Sequence, residues 1–431
     1  MKQFNNTVYV KYLYFLVFLS PGLALLVALR RISAHGVKKI LFLSFALFGF
    51  TMLMYGDAYT HLERFQLYQQ SLSLGQFTKG LLDLIVFRPV SREIPYSDPY
   101  LYIVSSIVGF LGLNGRFIFL ITSAIYGYFF VSSIYLVRDH LNGRWTRLLL
   151  LVFIFFITWK AFSGMVSVRN WTASWVLFYG LLKYHQTGNR KHLLWCIITP
   201  YFHFAYLFIS SIVLVVFFGP RWRWVYVILF GLSFLPIKSG STLLRWTPNN
   251  EFLNQKAQNY TIEEDEWDKF IEKKLSVEQE QNFHKIYTRI TMRYGIWVWA
   301  IMIIIIFYFK YYKSIRVRYL DRFLFVGLAL LALSNFAREI NPVLSHRLLV
   351  NSGYYLMLVL MVLIFYYQYQ ISRLLSGGLW MGMILLGLNL YFEVSITLKA
   401  LDLKYFFSPL SYFWLFEESF SVKSLLKQLF F

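Results

Sequence analysis

Residues 8–29 read VYVKYLYFLVFLSPGLALLVAL, an apolar run in which Lys11 is the one charged side chain. A helix needs roughly 20 predominantly apolar residues to cross the hydrocarbon core of a bilayer, so this run predicts a transmembrane helix. The Pro21-Gly22 pair predicts a kink, which membrane helices tolerate.

Further apolar segments of helical length follow along the chain. They lie at 40–55, 99–113, 117–137, 148–162, 168–183, 193–218, 224–239, 294–310, 323–337, 347–369 and 379–398. About twelve apolar helical segments, some of them re-entrant, predict an all-α, polytopic integral membrane protein. We expect residues 1–431 to form a single multi-helix membrane domain.

The composition favours a membrane protein and excludes other classes. Of the 431 residues, 58% are hydrophobic and 15% charged, whereas a soluble domain has about 25% charged residues. An ordinary soluble enzyme and a disordered chain are therefore excluded. Cys196 is the single cysteine, which excludes an internal disulfide. The eight histidines show no metal-ligand spacing, so we expect no metal and no cofactor.

The charge balance is strongly basic, with 42 Lys+Arg against 21 Asp+Glu and a net charge of +21. In a chain spread through lipid, such an excess marks cytoplasmic loops and an anionic substrate or lipid headgroup. We therefore expect the lipid bilayer and an anionic ligand as partners, and no nucleic acid.

Three stretches are too polar to cross the membrane. Residues 56–98 predict a long loop with amphipathic helices, and residues 240–290 carry an acidic run with apolar residues at helical spacing. The second stretch predicts a small helical lid. Residues 400–431 predict an aromatic, amphipathic tail that lies along the membrane interface.

Lys and Arg in short loops predict which side of the membrane a loop occupies. The basic runs within 310–322 and 30–39 are the clearest cytoplasmic anchors. Both long loops, 56–98 and 240–290, then lie on the outer side.

Two topologies satisfy these anchors. Plain alternation of twelve spans places the basic turns 138–147 and 183–192 outside, against the rule. The alternative places both turns inside, with one re-entrant segment before residue 138 and a broken helix within 193–218. We favour the alternative, because Pro200 and His203 interrupt that segment.

The first candidate site follows the second span, at Asp57, His61 and Arg64. If the segment is helical, these residues share one face. A carboxylate beside an imidazole suits a general base, and an arginine suits an anion. The alternative is structural: Asp57 caps the start of a surface helix.

Arg169 and His203 are candidates because ionisable residues at membrane depth are costly. Arg169 begins an apolar segment and either holds phosphate in a cavity or snorkels to headgroups; we favour the cavity. His203 lies among aromatic residues, so it is either a functional residue or a histidine packed in the core. We expect substrate binding by further arginines, because guanidinium binds phosphate bidentately: Arg88, Arg92 and Arg347.

Four ordered pieces of residues 40–215 resemble the EpsG-type branch of the Wzy-like exopolysaccharide polymerases. They are Gly56-Asp57 followed by Tyr59, Asp98-Pro99 opening a span, Arg169 with Ala173, and Phe202-His203. Beyond residue 215 the similarity is limited to a late arginine before an aromatic helix, Arg347 with Tyr354 and Tyr355.

The resemblance implies a GT-C-like membrane glycosyltransferase at the outer face of a bacterial inner membrane. Such an enzyme polymerises oligosaccharide repeat units carried on undecaprenyl pyrophosphate into exopolysaccharide, capsule or O-antigen. Its implied partners are the polyprenyl-pyrophosphate-linked oligosaccharide, a flippase and chain-length regulator proteins. In this interpretation Asp57 or His203 is the catalytic base, and Arg169, Arg88, Arg92, Arg347, Arg64 and His61 bind substrate.

Other functions remain open. A lipid-linked oligosaccharide flippase or transporter would also be basic, aromatic and polytopic, although we find no paired halves with matching broken helices. A membrane O-acyltransferase would centre on His203, and a polysaccharide ligase would use a similar site for a different acceptor.

Overall fold

The computed structural model describes residues 2–30, 36–54, 56–68, 73–88, 98–141, 145–235, 283–311, 320–338, 341–367, 373–410 and 421–430. Across these ranges the protein is all-α, with 85% of the residues in helices and no β-strand. The prediction of an all-α fold is therefore confirmed for the described part of the chain. Most of the acidic loop 240–290, the residue Arg92 and part of the tail 400–431 lie outside the described residues.

The predicted single span 8–29 is two helices that pack side by side, since Tyr9 Oη donates to the carbonyl of Val27 (2.9 Å). The α-helices of the first half otherwise follow most of the apolar segments, and two more form within the polar stretch 56–98. The α-helices of this half are α1 (Lys2–Leu19), α2 (Pro21–Arg30), α3 (Val37–Thr51), α4 (Asp57–Tyr68), α5 (Leu74–Ile85), α6 (Pro99–Phe110), α7 (Arg116–His140), α8 (Arg147–Thr158), α9 (Ser163–Val166) and α10 (Val168–Thr187).

The second half continues in the same way. Its α-helices are α11 (Leu193–Ile197), α12 (Thr199–Phe202), α13 (Tyr206–Phe218), α14 (Arg223–Leu232), α15 (Phe283–Ile304), α16 (Asp321–Phe336), α17 (Pro342–Tyr367), α18 (Arg373–Ala400) and α19 (Val422–Phe430). A π-helical turn, Ile305–Tyr311, extends α15, and short 3₁₀ helices occupy Arg190–His192 and Leu403–Phe406.

Five helical stretches of the described chain are long and apolar enough to cross a membrane. They are Arg116–His140, Arg147–Val166, Ile290–Tyr308, Pro342–Tyr367 and Leu375–Ala400. Shorter apolar helices accompany them, among them α2, α6, α13 and α14. The lengths and composition of these helices are compatible with a multi-pass membrane protein.

The predicted break within 193–218 is present. Pro200 lies in the four-residue helix α12, and His203 adopts an extended conformation (φ −157°, ψ 123°) that ends it. The chain before the break packs on α10, where Cys196 contacts Gly180. After the break, α13 returns along the same helix, with the ring of Phe217 centred 6.2 Å from that of Tyr184. The segment is thus a helical hairpin with His203 near its tip.

Basic residues from separate loops collect at one end of the bundle. Lys38 Nζ and Arg138 Cζ lie 6.0 Å and 4.2 Å from the centroid of the Tyr135 ring. Near the end of α10, the Gln186 side chain donates to the carbonyl of Leu136 (3.2 Å). The beginning of α3 and the ends of α7 and α10 therefore share one end.

The long loop and the tail also form helices. Ser73 caps α5 through a capping box with Gln76, in which each satisfies a backbone N–H of the other. In the tail, Tyr405 is buried and donates to the carbonyl of Ser44 (2.9 Å). This part of the predicted interfacial tail therefore packs into the bundle, because Tyr405 fills a site against α3 (Phe48 ring 5.5 Å away).

Packing between α10 and α17 fixes the relative position of two candidate arginines. The rings of Trp175 and Tyr354 pack with their centroids 4.4 Å apart and their planes tilted by 55°, and Ser174 donates to Asn351 Oδ1 (2.8 Å). Gly353 lets α17 approach α8, since a Cβ there would lie 2.8 Å from the Trp159 ring. Arg169 and Arg347, at the starts of α10 and α17, thereby face the same space.

Candidate functional site

A polar cavity of about 400 Å³ lies at the end of the bundle opposite the basic turns. It gathers five residues that the sequence singled out, and they come from four separate segments of the chain. The predicted residues that line it are Asp57, His61, Arg169, His203 and Arg347. The remaining lining residues are Ser167, Asn170, Trp171, Pro342, Val343 and His346.

Asp98 supports the cavity from beneath. Its carboxylate is 1% exposed and forms an ion pair with the Arg169 guanidinium through Oδ2. Its other oxygen, Oδ1, accepts from the backbone N–H of Phe204 (2.8 Å). A single buried carboxylate thus positions the arginine and the turn that carries His203, because charge-assisted hydrogen bonds are short and directional.

Asp57 is the first residue of α4 and follows Gly56, whose φ of +57° favours glycine. The Asp57 side chain is held by a tertiary contact, since Oδ2 accepts from Ser167 Oγ (2.6 Å). The helix N-terminus stabilises the negative charge. Asp57 therefore offers an exposed, oriented carboxylate at the rim of the cavity.

The orientation of the His203 ring limits its chemistry. The backbone N–H of Ala205 donates to Nδ1 (3.1 Å), and the residue is 6% exposed. An imidazole nitrogen that accepts a hydrogen bond carries no proton, so neutral His203 bears its proton on Nε2. In this arrangement Nε2 carries the proton that the ring can donate, and neither ring nitrogen is placed to accept a further proton.

His61 is buried in the wall of the cavity. Burial, reinforced by the charges of Arg169 and Arg64, lowers the pKa of His61 to about 3. The side chain is 4% exposed, and no described group hydrogen-bonds its Nδ1. The Oδ1 of the neighbouring Asn170 is likewise buried without a described partner. The cavity therefore presents neutral hydrogen-bonding groups beside its arginines.

The other predicted residues lie elsewhere. Arg64 is not one of the residues that line the cavity, although its charge acts on His61. Arg88 is exposed just beyond α5, where its backbone N–H donates to the carbonyl of Asp83 (2.8 Å). Arg92 falls outside the described residues.

Sequence reasoning missed a buried ion pair next to the cavity. Lys160 Nζ binds Glu393, which also accepts a hydrogen bond from Ser163, and the Glu393 side chain is 3% exposed. The same Nζ lies 5.2 Å from the centroid of the Trp171 ring in the cavity wall. The sequence does contain a sign of this pair, because Glu393 lies inside the apolar segment 379–398. A carboxylate in such a segment is energetically costly unless it has a partner.

An apolar pocket of about 220 Å³ lies on the far side of this ion pair. Its walls come from α2, α3, α7, α8 and α18, and Glu393 is its one charged lining residue. The contacts run from the polar cavity through Trp171 and Lys160 to Glu393. A polar and an apolar compartment are thus adjacent.

Anion binding suits this site better than cation binding. Arg169 and Arg347 line the cavity, and the carboxylate nearest to Arg169 is engaged in the ion pair below. Within the ranges that the structure describes, no three His, Cys, Asp or Glu side chains are grouped to hold a metal ion.

Comparisons with known proteins add no assignment. The chain matches no family model, no curated protein and no solved structure.

Proposed function

We propose that this protein is a membrane glycosyltransferase that polymerises lipid-pyrophosphate-linked oligosaccharide repeat units into an exopolysaccharide, capsule or O-antigen. The observation that supports it best is the cavity that unites Asp57, His203, Arg169 and Arg347. Such a donor carries its own leaving group, so the reaction needs one base and cationic groups that stabilise a departing pyrophosphate.

In the proposed reaction, a sugar hydroxyl of the acceptor attacks the anomeric carbon of the donor. The new glycosidic C–O bond forms as the bond from that carbon to the pyrophosphate oxygen breaks. The base takes the hydroxyl proton, and the lipid pyrophosphate leaves with the bonding electron pair. Arg169 and Arg347 bind the negative charge that develops on this leaving group, which guanidinium does without losing its own charge.

We assign the base to Asp57. The carboxylate is exposed at the cavity and is oriented by Ser167 Oγ at 2.6 Å. His203 has Nδ1 occupied by the N–H of Ala205, so its Nε2–H is suited to hydrogen-bond a substrate oxygen. In this division Asp57 removes a proton while His203 and His61 position the sugars.

The geometry supports a site on the outer side of a membrane. α10 begins at the cavity and runs 20 residues to Thr187, about 30 Å at 1.5 Å per residue. This length equals the thickness of the hydrocarbon core, although α10 is less apolar than the five stretches named above. Its far end shares the basic end of the bundle with Lys38 and Arg138. The positive-inside rule assigns that end to the cytoplasm and the cavity to the outside. A bacterial inner membrane is part of the proposal.

The apolar pocket next to Glu393 supports a lipid-linked substrate. A polyprenyl tail requires an apolar surface beside the polar site that holds its pyrophosphate, and the two compartments adjoin through Trp171 and Lys160. We assign to this pocket of about 220 Å³ the first isoprene units of the donor, next to its pyrophosphate.

Deletion of the gene tests the proposal through the lipid-linked products that remain. We expect single repeat units to reach the outer face and accumulate while long chains disappear. Units held on the cytoplasmic leaflet would instead indicate a flippase, and a missing decoration on chains of normal length would indicate an O-acyltransferase. Long chains that stay on the lipid carrier would indicate a ligase. Long chains of normal length that are fully decorated and transferred would contradict all four of these functions.

A further inference from the structure

A second polar pocket adjoins the cavity across the start of α17. It measures about 200 Å³, and two of its lining residues, Pro342 and His346, also line the main cavity. Arg293 of α15 and Arg338, which follows α16, supply the charges of the pocket. Nothing in the proposed reaction so far uses either arginine.

Neutral side chains hold the Arg293 guanidinium in place. Nη2 donates to Ser345 Oγ (2.6 Å) and Nη1 to Asn335 Oδ1 (3.3 Å). Trp297 Nε1 donates to the same oxygen (3.2 Å), and the Asn335 amide donates to Ser233 Oγ (2.9 Å). The network fixes the position of the guanidinium through neutral partners.

The two arginines bring two positive charges to one pocket. Among the residues that the structure describes, neither Arg293 nor Arg338 forms an ion pair. Arg293 belongs to the apolar stretch Ile290–Tyr308. A charge in such a segment is costly and is retained where it faces a cavity or binds a ligand. Two guanidinium groups that line one cavity form a site suited to an anion.

We infer that this pocket binds the pyrophosphate of the second lipid-linked substrate, the acceptor. The anion chemistry comes from Arg293 and Arg338, whereas the identity of the ligand rests on the proposed function. Joining two lipid-linked units brings two pyrophosphates to one site. The main cavity, with Arg169 and Arg347, takes the donor pyrophosphate, which leaves. The adjoining pocket takes the acceptor pyrophosphate, which stays intact, and His346 stands between the two.

Binding stoichiometry tests this inference. The purified full chain in nanodiscs is titrated with undecaprenyl pyrophosphate, and bound lipid is counted by native mass spectrometry. We expect two equivalents on the wild type. Arg338→Gln should keep one tight equivalent and weaken the second at least about tenfold, as loss of a charged hydrogen bond does. Arg169→Gln should weaken binding of the other lipid equivalent, the one in the main cavity. The matched control is Arg190→Gln, an exposed arginine outside the pockets, which should bind like the wild type.

Several results would overturn the inference. One equivalent on the wild type, or two undiminished equivalents on Arg338→Gln and on Arg293→Gln, would contradict a second pyrophosphate site. Arg338 is exposed, so Arg338→Gln should fold normally. The test therefore remains decisive if Arg293→Gln fails to fold. Inorganic pyrophosphate serves as the second probe: displacement of the second lipid with equal affinity would show a site for a free anion.

The two proposals fail separately. Loss of long chains in the deletion strain together with a single lipid equivalent would contradict the second site and leave the polymerase proposal intact. Normal long chains in that strain would contradict the polymerase, whatever the number of bound lipids.

Discussion

Buried Asp98 and partly exposed Arg169 form an ion pair that connects two helices at the base of the cavity. Asp98 precedes α6, and Arg169 is the second residue of α10. The same carboxylate binds the backbone of Phe204, next to His203. A change at Asp98 therefore acts on an arginine and on a histidine of the site at once, although Asp98 is itself buried below the cavity.

We expect Arg169→Ala to abolish chain elongation and Arg169→Lys to recover little of it. A lysine offers a point charge in place of the planar fork that binds phosphate and Asp98 together. Removing one group that stabilises a developing anion costs on the order of 100-fold in rate. Asp98→Asn should lower the rate to a similar extent and also reduce thermal stability. Polymer length in a complemented deletion strain measures the effect, with Arg190→Lys as the control. Wild-type chains made by Arg169→Lys would contradict this role.

Asp57→Asn should retain folding and substrate binding but lose turnover, because an amide cannot accept the proton. Loss of a general base lowers the rate by about 100- to 10,000-fold. Ser167→Ala removes one orienting hydrogen bond and should cost about tenfold or less. His203→Gln keeps a donor in place of Nε2–H and should retain more activity than Asp57→Asn. Single-turnover rates at saturating donor separate these variants. An active Asp57→Asn protein with an inactive His203→Gln protein would transfer the base role to His203.

The stability of the protein should decrease as the pH falls below about 6.5, in part through His61. In the unfolded chain the pKa of His61 is about 6.5, the ordinary value for histidine. In the folded protein, burial lowers the pKa of His61 to about 3. Between these values the unfolded state holds more protons, so the free energy of unfolding falls by up to about 1.4 kcal/mol per pH unit. His61→Gln lacks this dependence. Thermal melts at pH 7 and pH 5 should show a larger loss for the wild type. Equal losses for both proteins would contradict a buried neutral His61.

The ion pair between Lys160 and Glu393 should show strong coupling in a double-mutant cycle. Lys160→Met or Glu393→Leu alone leaves a buried charge without its partner, which costs about 3–5 kcal/mol. The double variant removes both charges and should be more stable than either single variant. Thermal unfolding in detergent gives the order of stabilities. Additive losses would indicate that the two charges do not depend on each other.

Cysteine labelling should place the cavity and the basic turns on opposite sides. Cys196 is buried and is the single native thiol, so Cys196→Ala supplies a clean background. In intact cells, an impermeant maleimide should modify Thr60→Cys and Val343→Cys, because both positions are exposed near the cavity. It should modify Asn189→Cys, just beyond the end of α10, only when the cells have been permeabilised. Labelling of Asn189→Cys in intact cells would restore plain alternation of the spans.

Local sequence was sufficient to predict most helices. Apolar runs specify helices in lipid because backbone groups must be satisfied within the segment. Proline marks several starts, since its missing N–H is tolerated in the first turn: α2 begins at Pro21, α6 follows Asp98 with Pro99, and α17 begins at Pro342. The break at His203 was also predictable, from Pro200 and a polar residue inside an apolar run.

The tertiary structure alone decided which of the candidate residues meet. Asp57, Arg169, His203 and Arg347 are far apart in the chain, and their types and spacing do not encode which helix packs on which. Side-chain packing between α10 and α17 brings the arginines together, and the carboxylate of Asp98 fixes the turn of His203 beside them. The partner of Glu393 could not be predicted from the sequence either, because Lys160 precedes it by 233 residues. Hydropathy is a property of each segment, whereas a site depends on contacts between segments, which form as the helices pack.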